Sequence, residues 1–185
     1  MGDKLPEYLS EEEISALLEA PYKNHIRDRV LLAIAAKCGL RAAEILSIEF
    51  QDIKYHEKKN RYSLIVREGK GGKDRTVPLP YDVYQLIKQA KEMGSRGEAE
   101  PVFDMHYQSL YRIFVKYGVA AGITRIRVTP HLLRHSYAVH RVKAGMDVRT
   151  LQQILGHESI KTTMIYLRVT AEDVLDSADR HPLPY

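Results

Sequence analysis

The chain lacks several features that mark particular classes of protein. Its single cysteine, Cys38, excludes a disulfide within the chain, and the apolar residues around it predict a buried structural thiol. No apolar run approaches the ~18 residues that cross a bilayer, and the first residues have no apolar core of a signal peptide. Internal repeats and low-complexity tracts are also absent. We therefore expect a cytoplasmic protein with no membrane partner.

Length and composition favour one globular domain. The 185 residues, of which 44% are hydrophobic and 28% charged, are enough to bury a core and are unlike disordered or fibrous chains. The net charge of +4 weakly favours a polyanionic partner. Residues 54–75 carry eight Lys or Arg against three acidic residues, and residues 124–150 carry six against one. These segments form either one phosphate-facing surface or two solvated faces, and charge alone does not separate the two interpretations.

Hydrophobic spacing and capping signals predict an α+β fold that is mostly helical, with a small three-stranded antiparallel sheet. Ser10 with Glu13 forms a capping box at the first helix, and Thr129 before Pro130 is a favourable start for a later one. The predicted elements are helices over residues 11–19, 23–38, 41–48, 81–93, 107–121, 130–144, 148–155 and 159–167, a strand meander over residues 53–79, a surface loop over residues 94–100, and a last short helix that begins at Thr170.

Residues 129–166 hold several side chains that suit phosphoryl transfer. His131, Arg134 and His135 have i, i+3 and i+4 spacing, which places them near one face at the start of a helix. The positive end of the helix dipole disfavours cations there unless an anion binds, so the motif predicts an anion site. Two other interpretations remain: core histidines with an arginine paired to a carboxylate, and a zinc site. The zinc site is the weaker, because Leu132 stands where a metalloprotease helix has glutamate.

Three further candidate residues lie in motifs elsewhere in the sequence. Arg41 lies in Gly-Leu-Arg-Ala-Ala-Glu-Ile after a predicted helix end, Lys70 lies at a hairpin tip in Gly-Lys-Gly-Gly-Lys-Asp-Arg, and Tyr166 follows His157 by nine residues. With the His-x-x-Arg motif, this order resembles the catalytic domain of the tyrosine recombinases, the family of phage integrases and Xer-type recombinases. The resemblance covers nearly the whole catalytic domain, so the set is specific although each motif alone is weak.

The resemblance assigns the groups that would bind the phosphate. It implies that Arg41 and Arg134 clamp the scissile phosphate, since planar guanidinium groups suit its non-bridging oxygens as charge builds. It also implies that His157 hydrogen-bonds the phosphate. Glu44 matches an acidic position of the family and would orient or buffer these charges, with a plain surface ion pair as the alternative. Because side chains supply the charge, the resemblance implies no metal and no cofactor.

The same resemblance assigns proton transfer and attack. Tyr166 would be the nucleophile and His131 its proton acceptor, because a tyrosine hydroxyl with a pKa of ~10 attacks poorly at neutral pH without help. Lys70 would protonate the departing 5′ oxygen, with Lys73 as a competitor on the same turn. His135 would support the site rather than react. The 3′-phosphotyrosyl link would conserve the energy of the phosphodiester, so rejoining would need no ATP.

The expected function is therefore cleavage and rejoining of DNA strands by a site-specific recombinase or integrase. Two alternatives stay open: strand cleavage like that of a type IB topoisomerase, and a non-catalytic DNA-binding module, which the helix-turn-helix look of residues 146–166 favours. The expected partner is double-stranded DNA, whose phosphates would meet basic residues on or beside the hairpin. The candidates are Lys58, Lys59, Arg61, Lys73 and Arg75.

Family members usually carry an N-terminal helical domain that completes a clamp around DNA. Residues 1–10 look like a residual linker, so we expect either an excised catalytic domain, which we favour, or a minimal protein. Without the second half of a clamp, duplex binding should be weak and should fall steeply with salt. Residues 170–185 would pack on a neighbouring copy of the chain or fold back on their own, and we expect self-association on DNA through this tail.

Overall fold

The computed structural model describes residues 7–67 and 74–168, in which helices surround one small sheet. The helices are α1 (Glu11–Glu19), α2 (Ile26–Cys38), α3 (Ala42–Leu46), α4 (Tyr81–Gly94), α5 (Tyr107–Ala120), α6 (Pro130–Lys143), α7 (Val148–Leu155) and α8, which covers residues 160–168. The strands are β1 (Ile53–His56), β2 (Arg61–Val66) and β3 (Arg75–Leu79), in the order β1-β2-β3. The predicted α+β class, mostly helical with a three-stranded antiparallel sheet, is confirmed.

Side-chain caps begin α1 and α6 where the sequence predicted them. The Ser10 hydroxyl accepts a hydrogen bond from the Glu13 backbone at 3.2 Å, and the Glu13 carboxylate accepts one from the Ser10 backbone at 2.8 Å. At α6 the Thr129 hydroxyl accepts a hydrogen bond from the Leu132 N–H at 3.1 Å, and Pro130 occupies the first turn. Each cap satisfies backbone donors that have no partner inside the helix.

The end of α2 lies directly against α6. Gly39 ends the helix in the left-handed conformation, with φ of 67°, as the sequence predicted. A Cβ at this position would lie 2.4 Å from the ring of Tyr137 on α6, so a larger residue would force one of the two helices or the ring to shift. Glycine therefore allows both the turn and the close approach of the two helices.

The sheet is a meander in which alternate side chains point into the core. Leu64 on the central strand lies opposite Ile53 on β1 and Val77 on β3, and both Leu64 and Val77 are fully buried. β1 and β2 are joined by a short 3-10 turn, Glu57–Lys59. The segment between β2 and β3 contains the predicted hairpin tip with Lys70 and Lys73, and it lies outside the described residues.

Helix α2 forms the centre of the core. Val30, Leu31, Leu32 and Ile34 have no exposed surface, and the helix packs between α4 and α6. Burying each such side chain contributes about 1.5–3 kcal/mol. Cys38 at its end is also fully buried, and burial raises the pKa of its thiol to about 12. The prediction that the Cys38 thiol is buried is therefore confirmed.

Helix α3 is shorter than the predicted segment 41–48. It begins at Ala42, with Arg41 as an extended N-cap residue, and it ends at Leu46. The reason is long-range: the Ile48 carbonyl accepts a hydrogen bond from the Val102 N–H at 2.8 Å, which draws the chain out of the helix. The predicted helix at Thr170 and the tail lie outside the described residues. No helix within residues 7–67 and 74–168 is both long and apolar enough to cross a membrane.

Candidate active site

The C-terminal end of α7 gathers three arginines. Three consecutive carbonyls there each accept a hydrogen bond from a different guanidinium group. The pairs are Arg75 Nε with Ile154 at 2.8 Å, Arg134 Nη2 with Leu155 at 2.6 Å, and Arg41 Nη2 with Gly156 at 2.8 Å. The last carbonyls of a helix have no partner within it and carry partial negative charge. Guanidinium groups from three distant parts of the chain therefore meet at one helix end.

Glu44 binds the same arginines with its carboxylate. It accepts hydrogen bonds from the Arg41 backbone at 2.7 Å, from Arg41 Nη1 at 2.8 Å and from Arg75 Nη2 at 2.8 Å, and it lies 3.8 Å from Arg134 Nη1. Burial raises the pKa of Glu44, but the hydrogen bonds from Arg75 and Arg41 outweigh that effect, so the pKa is lowered overall. These contacts place Glu44 among three arginines, and its role in orienting and buffering the site charges stays a prediction.

Arg134 is the buried member of the set. Its side chain is 5% exposed, and its Nη1 donates to the Gly39 carbonyl at 2.9 Å. Burial and the charge of Arg41 lower the pKa of Arg134 to about 10, so it remains protonated at neutral pH. A guanidinium has five N–H donors, and the two bonds to Gly39 and Leu155 use two of them. Arg134 can therefore hold the fold together and still donate to an anion.

Gly156 and His157 turn the chain out of α7 beside the arginines. Gly156 has φ of 65°, and a Cβ there would lie 2.9 Å from the Arg75 guanidinium carbon. His157 follows, with its Nδ1 at 2.9 Å from the hydroxyl of Thr163, a fully buried residue. Burial, then the charges of Arg134 and Arg41, lower the pKa of His157 to about 4, so the ring is neutral at neutral pH. An open groove of about 1000 Å³ adjoins these residues and is lined by Arg41, Glu44, Ser47, Arg67, His157 and Thr162, among others.

Tyr166 lies on α8 beside the two histidines of α6. Its hydroxyl is 2.7 Å from His135 Nδ1, and His135 Nε2 is 2.7 Å from His131 Nε2. The tyrosine is 1% exposed, whereas His131 faces solvent. Burial raises the pKa of Tyr166, and the charge of Arg134 opposes that rise. The predicted nucleophile thus contacts His135, the residue expected only to support the site, and His131 is one ring further away.

A zinc site at the histidine pair would need further ligands beside the two rings. Among residues 7–67 and 74–168, no three His, Cys, Asp or Glu side chains are grouped so that they could hold a metal ion. The direct contact between the two Nε2 atoms also occupies the positions that would face a shared ion. The geometry favours hydrogen bonding over metal binding for this pair.

Four of the five basic residues proposed to contact DNA are among the described residues, and they divide into two groups; the fifth, Lys73, lies outside the described residues. Lys58, Lys59 and Arg61 are exposed around the β1–β2 turn. Arg75, in contrast, has a side chain that is 9% exposed and bound to Glu44 and Ile154, so the geometry gives it an internal role in place of the expected DNA contact. Sequence reasoning missed this role and that of Thr163. The only available signal for Arg75 was its position at the start of a strand rather than on the turn.

Glu44→Gln should lower the free energy of unfolding by about 3 kcal/mol at neutral pH, because it leaves buried guanidinium groups without their carboxylate. A carboxyl whose pKa is depressed by folding stabilises the fold above its unfolded pKa, and this stabilisation is lost as the pH falls through the folded value. Since the pKa of Glu44 is lowered from 4.5, the wild type and the variant should become more alike in their free energy of unfolding as the pH falls below 4.5. Urea unfolding of both proteins across a pH series measures this difference in the free energy of unfolding.

Glu98→Gln is the matched control for this experiment. The Glu98 side chain is 69% exposed where it pairs with Lys91, so its replacement should change stability by less than about 1 kcal/mol at every pH. If the free energies of unfolding of wild type and Glu44→Gln differ by the same amount from neutral to acid pH, the hypothesis that the ionised Glu44 carboxylate stabilises the fold is wrong.

The fold is that of a tyrosine recombinase catalytic domain. Residues 7–173 match the model of the phage integrase family, so the chain belongs to that family. The tyrosine recombinase XerA of Pyrococcus furiosus is 38% identical over 186 residues, which cover 95% of this chain and 62% of the relative. The chain thus spans less than two thirds of the length of that relative.

Solved structures show the same fold. The crystal structure of XerA recombinase superposes with a TM-score of 0.81 at 29% identity, covering 98% of this chain and 67% of that one. The XerH site-specific recombinase bound to palindromic difH substrate, in a post-cleavage complex, gives a TM-score of 0.82 at 26% identity, covering 96% of this chain and 54% of that one. The predicted resemblance is confirmed by these comparisons.

Proposed function

We propose that the chain is the catalytic domain of a site-specific DNA recombinase or integrase, which cleaves and rejoins strands through a 3′-phosphotyrosine. The observation that carries the proposal is the convergence of Arg41, Arg134 and His157 at one helix end, in a chain whose Tyr166 contacts a histidine pair. A module that only bound DNA would need neither the buried guanidinium nor the tyrosine–histidine contacts.

The scissile phosphate would bind at the end of α7. Arg41, whose side chain is 45% exposed, and the unused donors of Arg134 would neutralise the non-bridging oxygens. The Thr163 hydroxyl, donating to His157 Nδ1, would leave the hydrogen of the neutral ring on Nε2. His157 could then donate Nε2–H to the phosphate. These cations and donors would stabilise the charge that develops in the transition state.

Attack by Tyr166 would form a P–O bond to the tyrosine and break the bond to the 5′ oxygen. Because Tyr166 is 1% exposed, the groups that cover it have to move when DNA binds. The departing oxygen would take its proton from Lys70, the role that the family resemblance implies. Reversal of the same steps would rejoin the strand without ATP or a metal ion.

Double-stranded DNA is the proposed partner. The XerH relative is bound to its difH substrate in that structure, and here Lys58, Lys59 and Arg61 present exposed positive charge. Self-association on DNA is proposed through the C-terminal region. Its support among the described residues is an apolar stripe on α8, where Ile160 and Met164 are 42% and 50% exposed at i and i+4.

The test is covalent capture on DNA. The protein is incubated with a pool of nicked suicide duplexes randomised around the nick, so that any target sequence can be selected from the pool, and adducts are separated on a denaturing gel. We expect an adduct whose phosphotyrosine maps to residue 166 by mass spectrometry and whose captured DNA has a shared sequence. An absence of any adduct, or attachment at another tyrosine, would reject the proposal. Supercoil relaxation without strand exchange would indicate the topoisomerase alternative.

A further inference from the structure

A chain of contacts connects the buried Tyr166 hydroxyl with solvent. The hydroxyl meets His135 Nδ1 at 2.7 Å, and His135 Nε2 meets His131 Nε2 at 2.7 Å. The two imidazole rings lie edge to face, with centroids 4.1 Å apart and planes 81° apart. His131 lies in the first turn of α6 and is exposed, so this series of contacts begins at the buried Tyr166 oxygen and ends at the protein surface.

Only one arrangement of hydrogens in this series of contacts makes the Tyr166 hydroxyl a donor. If Tyr166 donates to His135 Nδ1, the neutral His135 ring carries its hydrogen on Nε2. That hydrogen is donated to His131 Nε2, and His131 then carries its own hydrogen on Nδ1. The reverse arrangement also forms both bonds, but in it the hydroxyl accepts and cannot pass its proton to the histidines.

We propose that His135 is the catalytic residue that takes the proton from Tyr166, and that His131 is the second carrier in a two-histidine relay. This proposal rests on the proposed strand-cleavage function and names its general base. It differs from the role implied by the family resemblance, in which His131 accepts the proton directly.

The proton that leaves Tyr166 is held by the two histidines, and the departing 5′ oxygen takes a separate proton from Lys70, as in the proposed function. As the tyrosine oxygen bonds to phosphorus and the bond to the 5′ oxygen breaks, the Tyr166 proton moves to His135 Nδ1. The hydrogen on His135 Nε2 moves at the same time to His131 Nε2. His135 ends neutral with its hydrogen on the other nitrogen, and His131 ends as an imidazolium. Rejoining returns both protons in the opposite direction.

The surroundings explain why two histidines suit this task better than one. Burial, then His131 and Arg134, lower the pKa of His135 to about 4, so this ring holds a positive charge poorly. The relay leaves the charge on the more exposed His131 instead. A cation is unfavourable at the start of a helix unless an anion is near, and the bound phosphate would supply that anion.

The test compares two replacements of His135. His135→Asn places an amide where Nδ1 was, so it retains a hydrogen-bonding partner for Tyr166 but cannot accept its proton. His135→Ala removes both properties. Single-turnover cleavage of the captured duplex should fall about 10²–10⁴-fold in both variants at neutral pH, the usual contribution of general base catalysis. His106→Ala is the control, because this exposed histidine makes no side-chain capping bond at α5.

Two further readouts separate proton transfer from a structural role. The ratio of the wild-type cleavage rate to that of His135→Asn should fall about tenfold for each unit by which the pH is raised, because hydroxide replaces the missing base. The groups facing His135 are His131 and Arg134 on its own helix, Tyr166 on α8 and His157 after α7. Fluorotyrosine at position 166, a more acidic phenol, should recover much of the lost rate in His135→Asn and change the wild type little.

Each other outcome would overturn the relay. Cleavage by His135→Asn near the wild-type rate, with a large loss in His131→Ala, would make His131 the direct acceptor. Faster cleavage by His135→Ala than by wild type would make the contact a latch that restrains the nucleophile. A pH-independent deficit that fluorotyrosine leaves unchanged would make His135 structural. If the wild type itself forms no adduct, the proposed function fails, and that result is distinct from all three.

Discussion

Tyr166→Phe should abolish the covalent protein–DNA adduct and leave duplex binding unchanged. The replacement removes one oxygen, the atom that would bond to phosphorus, and retains the buried ring. Because the same oxygen lies 2.7 Å from His135, its loss should also lower the free energy of unfolding by about 1 kcal/mol. Adduct formation is scored on denaturing gels, binding by gel shift and stability by thermal unfolding.

Tyr22→Phe is the matched control for this variant. Tyr22 is 76% exposed, so removal of its hydroxyl should alter neither adduct formation nor stability. An adduct of normal yield in Tyr166→Phe would show that another residue attacks the phosphate. A strong loss of duplex binding in Tyr166→Phe would show that the variant is disturbed beyond the missing oxygen.

Arg134→Ala should have the second large effect, because it should both slow strand cleavage and lower the free energy of unfolding. Loss of a charge-stabilising arginine lowers phosphoryl-transfer rates by about 10³–10⁵-fold, so cleavage should nearly disappear. The variant also leaves the Gly39 and Leu155 carbonyls without their donors. Breaking such a buried polar network costs about 3–5 kcal/mol, which thermal and urea unfolding will measure.

Arg134→Lys separates these two effects. Lysine retains the positive charge but has one ammonium group, which cannot span two carbonyls and a phosphate as a guanidinium can. We expect its stability to lie between those of wild type and Arg134→Ala, while cleavage stays strongly reduced. Lys88→Ala is the control for a lost surface cation, because the side chains of Lys88 and its partner Glu92 are 52% and 66% exposed and their pair should contribute less than about 1 kcal/mol. Wild-type cleavage by a folded Arg134→Ala variant would exclude Arg134 from the clamp.

The end of α7 explains why these residues depend on one another. Arg41, Arg75 and Arg134 each bind one of its carbonyls, and Glu44 binds the first two directly. A change at any of them alters the charge balance of the others, so double replacements should be non-additive. The guanidinium groups that would hold the phosphate are therefore positioned by a helix end rather than by a loop.

Local signals in the sequence were sufficient for much of the fold. The capping box of Ser10 and Glu13, the Thr129 cap and the glycine ends at Gly39 and Gly156 all occur as predicted, because each depends on a few consecutive residues. The meander was also predictable from alternating apolar residues. The end of α3 was not, because the hydrogen bond between Val102 and Ile48 joins segments far apart in the chain.

By itself, the sequence determined the α+β class, the order of the motifs and the identity of the candidate residues Arg41, Arg134, His157 and Tyr166, since residue type and spacing carry that information. Only the tertiary structure decided that Arg75 points inward to the α7 end, that Tyr166 is buried, and that its hydroxyl meets His135 before His131. The physical reason is that burial and hydrogen-bond partners at these positions come from side chains and carbonyls of other elements, whose approach depends on the packing of the whole core.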